Sequence, residues 1–143
     1  MPMEVKWKLD RSQHGSKRYL WTMMILQPDY IDESIMYEAI DTLNKKKKIL
    51  PYTNRLRLRT FTEGLSGQIL HIGPFNEPME RTFELLKQDL TKKGYEWEPD
   101  SHDVYYNDIR KVPAEKLKTL IRVRIWKVGD SLPKLEEPFL AWE

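Results

Sequence analysis

The chain has 143 residues, with 24 Lys and Arg against 22 Asp and Glu and no Cys. Its length suits one domain with a single core, and its formal net charge of +2 lacks the cation excess that a non-specific nucleic-acid binder needs. The absence of Cys excludes disulfides and thiolate metal sites. Because no apolar run reaches the roughly 20 residues of a membrane helix and no secretory signal is recognisable, we expect a cytoplasmic protein with no membrane or nucleic-acid partner.

A hairpin is predicted at the start of the chain. Residues 3–9 alternate between apolar and charged side chains, which is the pattern of a half-buried strand. A polar turn at 11–16 separates them from residues 19–27, an apolar run of strand length that ends at a proline.

A helix is predicted next, from an N-cap at Asp32 to about Lys47. Its apolar side chains form one stripe that we expect to pack on a sheet, namely Ile35, Met36, Ala39, Ile40 and Leu43. The lysines at 45–48 suit the negative end of the helix dipole. A nucleic-acid or lipid patch is the alternative, which the near-neutral net charge disfavours.

The remainder of the chain predicts a second helix and four further strands. Asn76 and Pro78 mark the start of this helix and Gly94 its end. The strands are expected at 55–61, 68–72, 102–106 and 119–126, with one helical turn at 113–118.

The resulting order β-β-α-β-β-α-β-β predicts an α+β fold with a mostly antiparallel sheet and both helices on one face. The unit β-α-β-β occurs once and in part a second time, which favours an internal duplication. We expect a single domain over residues 1–143, with a core at 3–127 and a C-terminal extension at 128–143 that docks as an extended segment. The sheet face away from the helices is then open to water or to a ligand.

Three stretches of the sequence resemble the GyrI-like small-molecule-binding domain, also described as the effector-binding domain of multidrug-sensing transcription activators. They are WTMMILQPDYIDES at 21–34, RLRTFTEGLSGQILHIGPFNE at 57–77 and HDVYYNDIRKVPAEKLKTLIR at 102–122. The resemblance implies two pseudo-symmetric β-α-β-β halves, with two helices on one side and a ligand cleft on the other. Members of that family usually carry a further strand and helix before the position of Met1. Without this unit we expect an exposed sheet edge, which either the C-terminal residues 132–142 or a second copy in a homodimer would cover.

Asp103 is the first candidate site residue. It shares a face of its strand with Tyr105, because the two are two residues apart. The resembled family usually has a Glu here, pointing into the cleft beside an aromatic residue, and a carboxylate flanked by rings suits a cationic or polarisable aromatic ligand. Asp is one methylene shorter, which changes the reach of the carboxylate. The alternative is a surface Asp beside a turn, with Tyr105 only packing.

Glu63, in the Thr-Glu-Gly segment, also matches a family Glu. Paired carboxylates across a cleft can divide the roles of acid and base, and some GyrI-like proteins resemble hydrolases that open the cyclopropane ring of genotoxic natural products. Glu63 and Asp103 are therefore the candidate catalytic pair. The alternative is an ordinary turn residue before Gly64.

Four aromatic residues are predicted near the cleft, namely Trp7, Trp21, Phe61 and Tyr105. For Trp21 a place in the core is an equal alternative, because its strand face is uniformly apolar. Trp97 and Trp142 are expected to pack or to cover an edge.

The histidines His14, His71 and His102 are too isolated in sequence for a metal-ligand pattern, and His71 is expected to be a hydrogen-bonded core residue. No metal or cofactor is predicted. We expect a protein that binds a small drug-like or toxin-like molecule, aromatic or cationic. The alternatives are a hydrolase that detoxifies cyclopropane-bearing genotoxins in the same cleft, and an interaction protein that inhibits a partner such as gyrase.

Overall fold

A computed structural model describes residues 1–10, 18–48 and 50–133. The predicted turn at 11–16, most of the C-terminal extension and Trp142 lie outside the described residues. In chain order the strands and helices are β1 (Met3–Asp10), β2 (Arg18–Ile25), α1 (Glu33–Lys45), β3 (Ser66–Ile72), α2 (Glu77–Lys92), β4 (Tyr95–Trp97), β5 (His102–Tyr105) and β6 (Lys118–Lys127).

The six strands form a sheet in the order β2-β1-β5-β6-β3, with β4 also paired to β6. Every pairing between the described strands is antiparallel. The prediction of an α+β fold with a mostly antiparallel sheet and two helices is therefore confirmed. Within the described ranges, neither helix has the length and apolar content of a membrane-spanning segment.

The strand register assigns each side chain to one of two sheet faces. Residues directly opposite each other share a face, so Val5, Asp103, Ile121 and Ile69 lie together, each paired with the next across β1, β5, β6 and β3. We call this the α2 face, because the core on it is made by α2 against β6. Its buried apolar residues are Leu86, Leu90, Val123 and Ile125.

A close approach between α2 and β3 explains one glycine. A Cβ atom at Gly67 would lie 2.8 Å from a methyl carbon of Leu90 and 3.2 Å from the other. A side chain at this position would require Leu90 to move, so glycine suits this close approach of helix and strand. The strand predicted at 68–72 begins after Gly67, whereas in the structure Gly67 belongs to β3 itself.

The opposite side of the sheet carries charged side chains. Because successive residues of a strand point to opposite faces, Glu4, Lys6, His102, Arg122 and Arg124 lie there. We call it the charged face. The irregular segment at 56–65 reaches it through Glu63, which bonds to His102 and Arg122.

Both helices begin and end as predicted, but only one of them is packed. The Asp32 carboxylate caps α1 by accepting from the backbone N–H of Ile35 at 2.9 Å, and α2 is followed by Gly94 at a φ of +79°. The helix α2 buries Leu86 and Leu90. No residue of α1, which is described in full, is buried. The predicted packing of the α1 stripe is therefore wrong for the described residues, because periodicity specifies a helix but not what lies against it.

One local prediction is wrong, and one short strand is not predicted. Residues 53–55 form a 3-10 turn and 56–65 have no regular structure, although 55–61 alternate like a strand. β3 is an edge of the sheet, so this segment does not pair with it as a further strand. The exposed Arg57 and Arg59 donate to nearby backbone carbonyls of their own segment. The short strand β4 was not predicted, since three residues are too few for a periodic signal.

Candidate functional site

The buried carboxyl group of Asp103 lies in the middle of the sheet, on the α2 face. β5 lies between β1 and β6, and the Asp103 side chain is 4% exposed. Its Oδ1 atom is buried and has no hydrogen-bond partner among the described residues. Such an unsatisfied acceptor costs about 1–3 kcal/mol in a folded protein, so its presence needs a reason.

Two aromatic side chains, Trp7 and Tyr105, lie beside Asp103. The Trp7 indole N–H on β1 donates to the Tyr105 hydroxyl oxygen at 3.3 Å. The Tyr105 ring makes an edge contact with Phe75 at a centroid distance of 5.7 Å, and the Trp7 ring makes one with Tyr19 at 6.4 Å. Phe75 and Tyr19 thus pack against the two rings that lie beside the carboxyl group, and we call Trp7, Asp103 and Tyr105 the Asp103 cluster.

Burial makes the charged forms of both titratable groups in the cluster less favourable. Burial raises the pKa of Asp103 to about 6, against the lowering effects of hydrogen bonds from Ser101, Trp7 and Tyr105 and of the charge of His102. Burial and the neighbouring Asp103 charge raise the pKa of Tyr105 to about 12. Near pH 6 the carboxyl group can therefore exist in either form, while the Tyr105 hydroxyl keeps its proton.

On the charged face, directly behind this cluster, His102 is held between two carboxylates. Its Nε2 atom lies 2.7 Å from Oε2 of Glu4, and its Nδ1 atom lies 3.0 and 3.1 Å from the two carboxylate oxygens of Glu63. Arg122 donates to Glu63 Oε2 at 3.1 Å and to Oε1 of Gln68 at 3.1 Å. We call Glu4, His102, Glu63 and Arg122 the charged array.

The structure does not bring the predicted catalytic pair together. Glu63 bonds to His102 on the charged face, whereas Asp103, the next residue along β5, points to the α2 face. Burial by itself raises the pKa of Glu63, but the hydrogen bonds and charges of His102 and Arg122 outweigh it and hold that pKa below its usual value. Glu63 is thus an ionised anchor of the 56–65 segment, not a partner of Asp103 across a cleft.

The other predicted site residues divide in the same way. Trp7, Trp21 and Tyr105 lie on the α2 face with Asp103, since Trp7 is directly opposite Trp21 and Met3 opposite Tyr105. They therefore lie on the same face as α2 and not on the face opposite it, because sequence parity does not say which face a helix covers. Trp21 is 52% exposed, which excludes a place in the core of the described residues. Phe61 is half-buried in the irregular segment at 56–65.

Sequence reasoning missed the charged array, apart from Glu63. His102 was judged isolated because its partners are 39 and 98 residues away in the chain. Alternation places Glu4 and His102 on the same face of the sheet, but this can be seen only once β1 and β5 are known to pair. His71 was predicted correctly as a core histidine: it is 3% exposed and bonds to Thr82 and to the Pro74 carbonyl oxygen.

Other positions offer less chemistry. In the described part of the chain, no group of three or more His, Asp or Glu side chains is arranged to hold a metal ion. A surface groove along α2 contains none of the residues of the Asp103 cluster or the charged array, and it is lined by Glu84, Lys87, Gln88, Thr91, Lys92 and Trp97.

Three solved structures from Listeria innocua are similar to this chain. A hydrolase is 32% identical with a TM-score of 0.75 and covers 87% of this chain and 62% of its own. An uncharacterised conserved protein is 30% identical with a TM-score of 0.79, covering 87% and 63%. A second hydrolase structure is 30% identical with a TM-score of 0.75, covering 87% and 63%. The chain thus spans less than two thirds of the length of these proteins and shares their fold over most of its own.

No protein-family model matches the chain, and no curated protein matches it either. The similarity to the Listeria innocua structures therefore supports the fold described above. Their similarity to this chain does not by itself assign it a function.

Proposed function

We propose that this chain is a small-molecule-binding protein of the GyrI-like type, and that the Asp103 cluster binds an aromatic molecule with a positive charge or an N–H donor. One observation carries the proposal: Asp103 is 4% exposed and its Oδ1 has no partner among the described residues. A ligand donor or cation would satisfy that oxygen. The adjoining rings of Trp7 and Tyr105 supply the faces on which an aromatic or cationic group packs.

A matched pair of probes tests this proposal. An aryl trimethylammonium ion and its uncharged tert-butyl analogue have nearly the same shape and differ in charge. We expect the cation to quench indole fluorescence and to bind at least tenfold more tightly than the neutral analogue, because it pairs with Asp103 and packs on Trp7.

Two Asp variants supply the control. Asp103→Asn should remove most of the preference for the cation while leaving the affinity for the neutral probe nearly unchanged. Asp108→Asn, at a partly exposed residue paired with Arg110, should leave both affinities unchanged. Equal effects of the two substitutions, or no binding of either probe by the parent chain, would contradict the proposal.

Hydrolysis of the bound molecule is a second candidate function. Two of the similar structures are named hydrolases, and a carboxyl group with a pKa of about 6 can donate or accept a proton near neutral pH. The proposed substrate class is an activated cyclopropane, to which water adds. Asp103 as a carboxylate takes a proton from the attacking water while the water oxygen bonds to one ring carbon. The ring C–C bond to that carbon breaks, its electron pair passes to the other carbon, and that carbon takes the proton back from Asp103, so the product is the substrate plus one water. The acid–base work rests on Asp103 within reach of the Tyr105 hydroxyl, since Glu63 is held by His102 and Arg122.

Product analysis separates the two candidates. A chain that catalyses the reaction converts a cyclopropane-bearing electrophile to its water-addition product over many turnovers, and Asp103→Asn abolishes turnover. Binding without turnover leaves the first proposal standing and excludes the second. Turnover that persists in Asp103→Asn would exclude Asp103 as the acid–base residue.

A further inference from the structure

The buried ring of His102 has a hydrogen-bonding pattern that a neutral imidazole cannot satisfy. A carboxylate has only acceptors, and a neutral ring has one N–H donor. Yet Nε2 faces Glu4 Oε2 at 2.7 Å and Nδ1 faces Glu63 at 3.0 Å. With both carboxylates ionised, both ring nitrogens donate, which makes His102 in this geometry an imidazolium ion. It is 2% exposed, and this buried positive charge is balanced by the two carboxylates.

The bonds of this ring connect three parts of the molecule. Glu4 belongs to β1, His102 to β5, and Glu63 to the irregular segment that also bonds to Arg122 on β6. Trp7 and Asp103 belong to the same two strands but lie on the opposite face. The β1–β5 pairing brings Trp7 to Tyr105, and the charged array ties these two strands together from behind.

We propose that His102 is a positioning residue for the Asp103 site: as an imidazolium ion held by Glu4 and Glu63, it locks β1 and β5 in the register that brings Trp7 and Tyr105 to Asp103, and it supplies a fixed positive charge behind that carboxyl group. The inference rests on the proposed function for its consequence in ligand binding. The test uses the protein without ligand. The positioning role of His102 can therefore fail while ligand binding is found, and ligand binding can fail while the positioning role is found.

In the described part of the chain, His102 and Asp103 have different charged and titratable neighbours. His102 faces Glu4 and Lys6 from β1, Glu63 from the irregular segment and Arg122 from β6, and Lys6 is itself paired with Glu98 at 3.1 Å. Asp103 faces Ser101, Trp7 and Tyr105, with His102 as the neighbouring cation. Among the members of the charged array, a change at His102 alters both the charge behind Asp103 and the tie between its two strands.

The first measurement needs no variant. In the ¹⁵N-labelled full chain at neutral pH, both ring nitrogens of His102 should carry protons and show the imidazolium pattern. His71 is the internal control, because its two partners, the Thr82 hydroxyl and the Pro74 carbonyl, can satisfy a neutral ring. A His102 ring with a single N–H at neutral pH would overturn the proposal.

The second measurement follows the carboxyl carbon of Asp103 in a ¹³C NMR titration. His102→Gln removes the charge and one of the two donors, and should raise the midpoint of Asp103 by roughly half a pH unit and displace the Trp7 indole N–H resonance. His102→Arg keeps the charge and can donate to both carboxylates, so it should restore the parent midpoint and resonance. His71→Gln, which removes a buried histidine elsewhere, should change neither.

Each remaining outcome decides the matter. If His102→Gln unfolds and His102→Arg keeps the parent midpoint, the charge and its two bonds are required and the proposal stands. If His102→Gln and His102→Arg move the midpoint equally, or if neither moves it, His102 only fills space and the proposal fails. If neither variant folds, the ring protonation of the parent chain decides alone.

Discussion

The carboxylates of Glu63 and Asp103 lie on opposite faces of the sheet and differ in hydrogen bonding, burial and pKa. On the charged face Glu63 receives bonds from His102 and Arg122, and its pKa lies below the usual value. On the α2 face Asp103 is more deeply buried, has an oxygen with no hydrogen-bond partner in the described part of the chain, and has a pKa of about 6. Glu63 is satisfied by the protein itself, as a structural ion pair should be. Asp103 is left with unused bonding capacity, as a binding site requires.

The largest expected effect on this contrast comes from Glu63→Gln. The substitution leaves the buried His102 and the half-buried Arg122 with one carboxylate fewer, so we expect a loss of about 2–4 kcal/mol in the free energy of unfolding at pH 7. Urea denaturation measures it. The matched control is Glu77→Gln, whose exposed pair with Arg81 should contribute no more than about 0.5 kcal/mol. Equal losses in the two variants would show that Glu63 is not an anchor.

The pH dependence of the Glu63 effect has a definite sign. The folded pKa of Glu63 is lowered from 4.5, so its stabilisation is fully present above pH 4.5 and is lost as pH falls through the folded pKa. The stability difference between the parent chain and Glu63→Gln should therefore shrink in acid. A difference that grows below pH 4.5 would contradict this assignment.

Asp103→Asn should have the opposite effect, increasing stability. The folded pKa of about 6 lies above the ordinary 3.8, so the unfolded chain loses this proton first as pH rises. The ionised carboxyl group then costs stability progressively between these values and fully above pH 6, up to about 3 kcal/mol for a shift of roughly two pH units. We expect Asp103→Asn to gain about 1–3 kcal/mol at pH 7.5 and nothing near pH 3.5, while losing the cationic probe.

Urea denaturation at the two pH values, with Asp108→Asn as the control, checks this prediction. A destabilised Asp103→Asn at pH 7.5 would mean that the carboxylate is well satisfied in the folded chain, like Glu63.

Much of the fold follows from the sequence, because caps and periodicity are local. The Asp32 cap, the end of α2 before Gly94 and the alternation in β1 and β6 each predicted an element correctly. The failures were non-local. Strict alternation at 55–61 did not produce a strand, since strand formation also needs a neighbour with which to pair.

The site was predictable only in part for the same reason. Asp103 and Tyr105 were identified from their spacing and from the family resemblance, and they do share a face. Glu63 was paired with Asp103 because both matched family carboxylates, but the parity of β5 separates them. The partners of His102 are distant in sequence, so strand pairing had to be known before the charged array could be recognised.

The smallest expected effect sharpens the description of the Asp103 cluster. Tyr105→Phe removes a hydroxyl that accepts from the Trp7 indole and whose hydrogen bond lowers the pKa of Asp103. The Asp103 midpoint should rise further, with a stability change within about 1 kcal/mol. Tyr106→Phe, at the exposed neighbouring position, should alter neither quantity. A similar Asp103 midpoint in both variants would show that the Tyr105 hydroxyl does not lower the pKa of Asp103.

A side-by-side ¹³C NMR titration of the Glu63 and Asp103 carboxyl carbons in the parent chain tests most directly whether the two carboxylates differ. Asp103 should titrate near pH 6 and Glu63 below 4.5 in the same sample. Titration of Asp103 near its ordinary value of 3.8, or of Glu63 above Asp103, would contradict the assignment of Asp103 as the functional carboxyl group and Glu63 as the structural one.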